Sequence, residues 1–310
     1  MRSTGPTHKN CHLRKQLHVG GITFFIRSED VACLRPGPDN AYSAFERDDF
    51  SLSSPFDINV LVRIASGRDY LSENLSLAYT SGSSWSLYRK KNGYVIQLHP
   101  AGFDKPMWEA ETNPDFSEVI VHVHIPPPLD DQSHDHYYPF RYPLDQILLM
   151  HYLGTRGGLI VHSAGMVING KGYIFPGISG AGKSTITSCL LKNDTFHVLN
   201  DDRMIIRYQQ NSFHAYGTPW PGEAGISLNT SEKLGGIFFL NKAGENRIEK
   251  ISPQNGFKKL MPVASIPWHH KKIILRLFEF CEQLVQNVPA YNLYFTPSSD
   301  LGDIIYESIS

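Results

Sequence analysis

The chain has 310 residues, 41% of them hydrophobic and 12% aromatic, enough for one large domain or two ordinary ones. Its 29 Lys and Arg offset 30 Asp and Glu to leave a net charge of −1, so no basic field recommends nucleic acid as a partner. The four cysteines, Cys11, Cys33, Cys189 and Cys281, are scattered without a C-x-x-C pair, which argues against a structural zinc site and suits free thiols in the cytoplasm. No apolar run approaches the roughly 20 residues of a membrane span, and the opening MRSTGPTHKNCHLRKQ lacks the apolar centre of a signal peptide, so no membrane partner is expected.

Residues 1–17 read as a flexible, mildly basic arm. Residues 18–128 read as a β-rich domain, because the apolar stretches ITFFI, INVLVRI, YVIQL and VIVHVHI are separated by PGPDN, SGSS and KNG turn signals. Within it His122 and His124 alternate along one strand face. Without an evident third ligand they read as solvent-facing strand residues rather than a metal site. The prolines and charges of PPPLDDQSHDHYYPFRYP mark a linker over 129–143, with His134 and His136 as polar linker residues.

The second domain, 144–310, opens with the helical spacing of LDQILLMHYL, ended by Gly154, Gly157 and Gly158. LIVHSAGMVI then runs as a strand to Ile168, Asn169-Gly170 supplies a type I′ turn, and KGYIF returns as a hairpin partner. After a glycine-rich stretch, Thr185–Leu191 continues as a helix. Phe196–Tyr208 reads as strand, acidic break and strand, and Asn211–Asn229 continues with a strand and a loop. Further strands are expected at Gly236–Leu240 and Arg247–Ile251, followed by a helix over Ile266–Gln286 that Pro289 helps to close.

The stretch GISGAGKS, Gly177–Ser184, fits the phosphate-cradling pattern G-x-x-x-x-G-K-[ST], and the order strand, loop, helix is the one such a site needs. Gly177, Ser179, Gly180, Ala181, Gly182, Lys183, Ser184 and Thr185 are therefore the expected nucleotide-binding set. Lys183 would approach the β/γ-phosphates, and the Ser184 hydroxyl would serve Mg²⁺. Reaching the motif strand through a two-residue turn is unusual, because doubly wound folds use a helical crossover.

Asp201 and Asp202 follow the next strand, where phosphoryl transfer needs carboxylates to hold a metal and to orient and deprotonate an acceptor. The alternative is a solvated Asp-Asp turn capped by Arg203. Arg203 either neutralises phosphate or pairs with an aspartate. His162 sits on the first hairpin strand, within reach of a γ-phosphate or simply structural. Glu223 lies in a glycine-bearing loop that either closes over substrate or stays at the surface.

The run IVHSAGMVINGKGYIFPGISGAGKST followed by VLNDDR resembles the HPr kinase/phosphorylase family over roughly residues 144–240. The resemblance implies an α/β fold: a C-terminal HPr kinase/PEP carboxykinase-like P-loop domain with a mixed sheet, preceded by a smaller β-rich domain. It implies ATP and Mg²⁺ as cofactors. His162, Lys183 and Asp201 would be catalytic, with Asp201 as the base, and Ser184 and Asp202 would hold the metal, although the two aspartates could exchange roles. The arrangement also resembles kinase-like relatives that modify peptides, including those that phosphorylate a lasso-peptide precursor on serine. The function implied is transfer of the γ-phosphoryl group to a serine hydroxyl of a protein or ribosomal peptide. A small-molecule kinase and a nucleotide-sensing regulator without transfer are the competing readings. Ring assembly among relatives implies a possible homo-oligomer.

Overall fold

The structure, a computed structural model, describes residues 13–28, 40–47, 56–65, 75–82, 84–99, 105–124, 139–191, 195–298 and 300–309. The polar residues before Leu13, Cys11, Cys33, and the linker residues up to Tyr138, with His134 and His136, lie outside the described residues. The chain is an α/β protein with mixed sheets and a β-rich N-terminal part, and it divides into two compact units. Among the described residues the first comprises 13–17, 23–28 and those from 47 to 144, and the second comprises 18–22, 40–46 and those from 145 onward.

Most of a nine-stranded sheet lies in the first unit, its described strands being β1 Leu13–Val19, β2 Ile22–Ser28, β3 Glu46–Arg47, β4 Ile58–Ile64, β5 Ser76–Thr80, β6 Trp85–Lys90, β7 Gly93–Leu98, β8 Trp108–Thr112 and β9 Glu118–Val123. Their order is β3-β1-β2-β4-β9-β8-β7-β6-β5, with β4 parallel to both β2 and β9. Period-two alternation buries Ile58, Val60 and Val62 completely, as a half-covered strand requires. Residues 13–17 are a correction to the expected arm, because they belong to β1, where Leu17 is buried.

His122 and His124 are a second correction. They do not face solvent. The same alternation places them on the face of β9 that carries Glu109 and Glu111 of β8. Nε2 of His124 donates to Glu109 at 2.7 Å, and Nε2 of His122 donates to Glu111 at 3.0 Å. Glu109 is fully buried, and hydrogen bonds from His124 and from Gln97 at 2.6 Å are what let it stay there.

The second unit contains α1 Leu144–Gly154, β10 Gly158–Ile168, β11 Lys171–Pro176, α2 Lys183–Leu190, β12 Phe196–Asn200, β13 Arg203–Gln209, β14 Ser212–Tyr216, β15 Ser231–Lys242, β16 Arg247–Lys250, α3 Pro253–Leu260, α4 Lys271–Asn287, β17 Ala290–Phe295 and α5 Leu301–Ile309. The sheet order is β11-β10-β13-β14-β15-β17-β16, with β12 also on β10 and β11 also on β15. Pairing therefore runs in a closed ring through β10, β13, β14, β15 and β11. Among the described pairings of this sheet only β11–β15 and β15–β17 are parallel, and the β10/β11 hairpin turns through Asn169 (φ 51°) and Gly170 (φ 70°), as Asn-Gly requires.

Apolar side chains pack in two clusters. Leu159, Val161, Met204 and Phe213 meet Leu277, Phe280 and Leu284 of α4, while Phe175, Phe238 and Phe295 meet Ile186 and Leu190 of α2 and Ile305 of α5. Burying a side chain of this size stabilises by about 1.5–3 kcal/mol. Helix α4 starts later than expected, at Lys271 rather than Ile266, because Pro267 precedes it and the His270 ring caps it by accepting from the Ile273 N–H. Residues 40–46 fall in this unit rather than with the β-rich domain. The Tyr42 hydroxyl donates to the buried Asp145 carboxylate at 2.8 Å, beside the Trp220 indole N–H at 2.9 Å. Among the described residues, no helix is long and apolar enough to cross a membrane.

Candidate functional site

Strand β11 ends at Pro176 and releases the chain into a loop in which Gly180 (φ 78°) and Gly182 (φ 104°) take left-handed backbone angles. Gly182 is required twice over, because a Cβ there would also lie 2.6 Å from the Phe295 ring. Glycine at the cap position leaves the first-turn N–H groups of α2 without a side-chain cap, so the positive end of the helix opens outward. The first residue of that helix, Lys183, is buried. Its Nζ donates to the Gly177 carbonyl at 3.2 Å and lies 3.6 Å from Asp202 Oδ1. Burial pulls the Lys183 pKa below its ordinary value, against the opposing pull of Asp202.

Strand β10 brings His162 directly opposite Arg203 of β13, beside the Asp201-Asp202 bend. His162 Nε2 donates to Asp202 Oδ1 at 2.7 Å, and Arg203 Nε lies 3.6 Å from Asp202 Oδ2. Of the two readings of Arg203, the structure shows the pairing with an aspartate. Burial works to raise the Asp202 pKa, but the hydrogen bond and charge of His162, with Arg203 and Lys183, outweigh it and hold the carboxyl below the usual range.

Asp201 is nearly buried, and its two oxygens accept from the backbone N–H of Gly222 at 2.8 Å and of Ala224 at 2.7 Å. A side chain at position 222 could not come so close: a Cβ would meet Asp201 Oδ2 at 2.8 Å and Asp202 Cβ at 3.0 Å. The loop that carries Glu223 is thereby tied to the aspartate bend.

His162, Lys183, Ser184, Asp201, Asp202 and Lys242 face one cavity of about 590 Å³, which Ser179, Gly180, Gly182, Thr185, Gly222 and Glu223 complete. Gly177 and Ala181 do not line it. Gly177 is buried, its N–H donating to the His162 carbonyl at 3.2 Å, and it leaves the space that the Ala181 side chain fills.

Two contributors escape the sequence reading. Lys242 arrives from the far end of β15, and nothing local marks it. Asn200 is buried with its Oδ1 accepting from the N–H of Asp202 at 2.8 Å and of Arg203 at 2.7 Å, while its Nδ2 donates to the Thr218 carbonyl at 2.9 Å. That is an Asx turn, and the run Asn-Asp-Asp carried the signal for it.

The fold and site together define an α/β protein in which a hairpin strand, a glycine-rich loop and an uncapped helix face a pair of aspartates across one polar cavity. Within that class, the chain belongs to the family described as SynChlorMet cassette protein ScmC, whose model matches residues 144–302 and so spans every residue lining the cavity. No curated protein matches the chain. Among solved structures it is similar to the HPr(Ser) kinase/phosphatase from Coxiella burnetii, at 14% identity over 48% of this chain and 86% of that one, with a TM-score of 0.28.

Proposed function

We propose that the second unit is a P-loop kinase of HPr kinase-like type that moves the γ-phosphoryl group of ATP to a serine hydroxyl of a protein or peptide. The observation that carries this reading is the meeting of Lys183, at the open end of α2, with the Asp202–His162 pair across one cavity. The donor set fits a polyphosphate, because the first turn of α2, Lys183 and Lys242 line one cavity and are the kinds of donor an anion needs. It also fits a hard cation, because the Ser184 hydroxyl and the Asp202 carboxylate are oxygen ligands lining the same space. Bound Mg²⁺ would neutralise charge on the phosphates.

Transfer forms a bond from the serine oxygen to the γ-phosphorus and breaks the bond to the β-phosphate oxygen, releasing ADP. Asp201, on the side of the cavity tied to the Gly222–Ala224 loop, takes the serine proton, and Asp202 remains with the cationic groups. The serine acceptor rests on the resemblance of the motif run to HPr kinase/phosphorylase.

The test is mass spectrometry of serine-bearing peptides and small proteins encoded beside the gene, after incubation with ATP, Mg²⁺ and the full chain. Phosphate on a serine with the wild type and none with Lys183→Ala supports the proposal. Bound nucleotide with no transfer would turn the reading to a small-molecule acceptor or a nucleotide sensor.

A further inference from the structure

Away from the cavity just described, α3 and α4 enclose a groove of about 500 Å³ whose apolar floor, with Phe257, Phe278 and Val285, is rimmed by Lys258, Glu279 and Glu282. Beside it Leu275 is 65% exposed and Trp268, stacked edge-on against Phe278, is 57% exposed. An apolar surface of this kind on a helix whose other face is fully packed marks a contact site.

The charges along α4 say what fits it. Lys271 and Lys272 occupy its first turn, Leu275 and Phe278 follow, and Glu279 and Glu282 come next, while Arg276 between them is engaged elsewhere, donating to the Thr155 carbonyl at 2.9 Å. Lys271, Lys272 and Glu279 are exposed and have no ion-pair partner among the described residues. A helix that is basic, then apolar, then acidic is complementary to its own reverse. A twofold axis near Leu275 and Phe278 sets the lysines of one copy against the glutamates of the other, and sets each Leu275 towards the other copy's groove. Such a surface meets the requirement of an isologous interface, in which one patch serves both sides.

We infer that this chain forms a symmetric homodimer through antiparallel packing of the α4 helices over the α3–α4 groove. The inference stands independently of the proposed kinase activity.

Sedimentation equilibrium of the full chain tests it. The wild type is expected to be dimeric, and Leu275→Asp, at an exposed position that leaves the fold intact by circular dichroism, is expected to weaken association by at least about tenfold, as loss of a central apolar anchor does. A chain carrying Lys271→Glu and Lys272→Glu should be monomeric alone, as should one carrying Glu279→Lys and Glu282→Lys, because each sets like charges face to face. An equimolar mixture of the two should restore a dimer. A wild type that is monomeric at its highest soluble concentration would overturn the inference. So would a dimer that Leu275→Asp and the charge reversals leave unchanged, since its contact would lie elsewhere.

Discussion

Both units hold histidine–carboxylate pairs at the same distance, and they differ in what surrounds them. His124–Glu109 in the first sheet and His162–Asp202 in the second unit both close at 2.7 Å. In the first pair the side chains are 5% and 0% exposed, while the neighbouring Glu111, held by His122 and Lys90, lines a separate cavity of about 350 Å³. In the second, both side chains are 26% exposed and open onto the cavity below the uncapped end of α2. The hydrogen bond is the same in both places. Burial leaves the closed pair structural work alone, and the open pair is the one available to the phosphate chemistry proposed above.

Four changes sharpen or break that contrast. The largest effect is expected from Lys183→Ala, which removes the cation next to the open pair. Phosphoryl transfer should fall by about 10²–10³-fold in a steady-state assay, the scale of losing one preorganised charge-stabilising donor. Asn200→Ala releases the bend that aims both aspartates. It should lower kcat by about 10²-fold, the cost of roughly 1 Å of misplacement, while nucleotide affinity measured by titration stays at the wild-type value. A purely structural Asn200 would instead lower stability and leave kcat of the folded fraction intact.

In the closed pair, Glu109→Gln should cost about 1–3 kcal/mol in urea unfolding, because it weakens the partner of a buried histidine. Transfer per folded molecule should not change, and a loss of turnover there would erase the distinction between the two pairs.

The smallest expected effect comes from a third histidine. His151 is fully buried, donates from Nδ1 to the Ile147 carbonyl at 2.7 Å and meets His269 through Nε2 at 2.9 Å, with no carboxylate in that pairing. Burial pushes its pKa down to about 3. Below the unfolded value near 6.5 the unfolded chain binds a proton that the folded chain refuses, so stability falls as pH drops from about 6.5 towards 3. At pH 5.5 that loss is on the order of 1 kcal/mol, and His151→Gln should flatten the thermal-unfolding midpoint against pH over this window.

Local chemistry made much of the site legible. The glycine-rich loop, the Asn169-Gly170 hairpin and the Asp201-Asp202 break are each specified within a few consecutive residues, and each lies where the sequence puts it. What the sequence withheld depends on strand register and distant pairing. The partners of His122 and His124 sit on β8, and Lys242 reaches the cavity only because β15 runs parallel to β11. The late start of α4 was readable in Pro267, and α3 was announced by Ser252 as its cap and Pro253 in its first turn, yet apolar periodicity alone passes over both. The closed ring of strands follows from the double pairing of β10 and β15, which no single segment encodes.

The measurement that bears most directly on the central claim is calorimetric titration of the full chain with ATP and Mg²⁺, run on the wild type, Lys183→Ala and Glu109→Gln. The account predicts stoichiometric binding by the wild type and by Glu109→Gln, and binding at least about 10²-fold weaker by Lys183→Ala, equivalent to about 2.7 kcal/mol. Equal binding by all three chains would contradict it, because Lys183 would then not hold the phosphates, and so would no binding by the wild type, because the open pair would then have no nucleotide to act on.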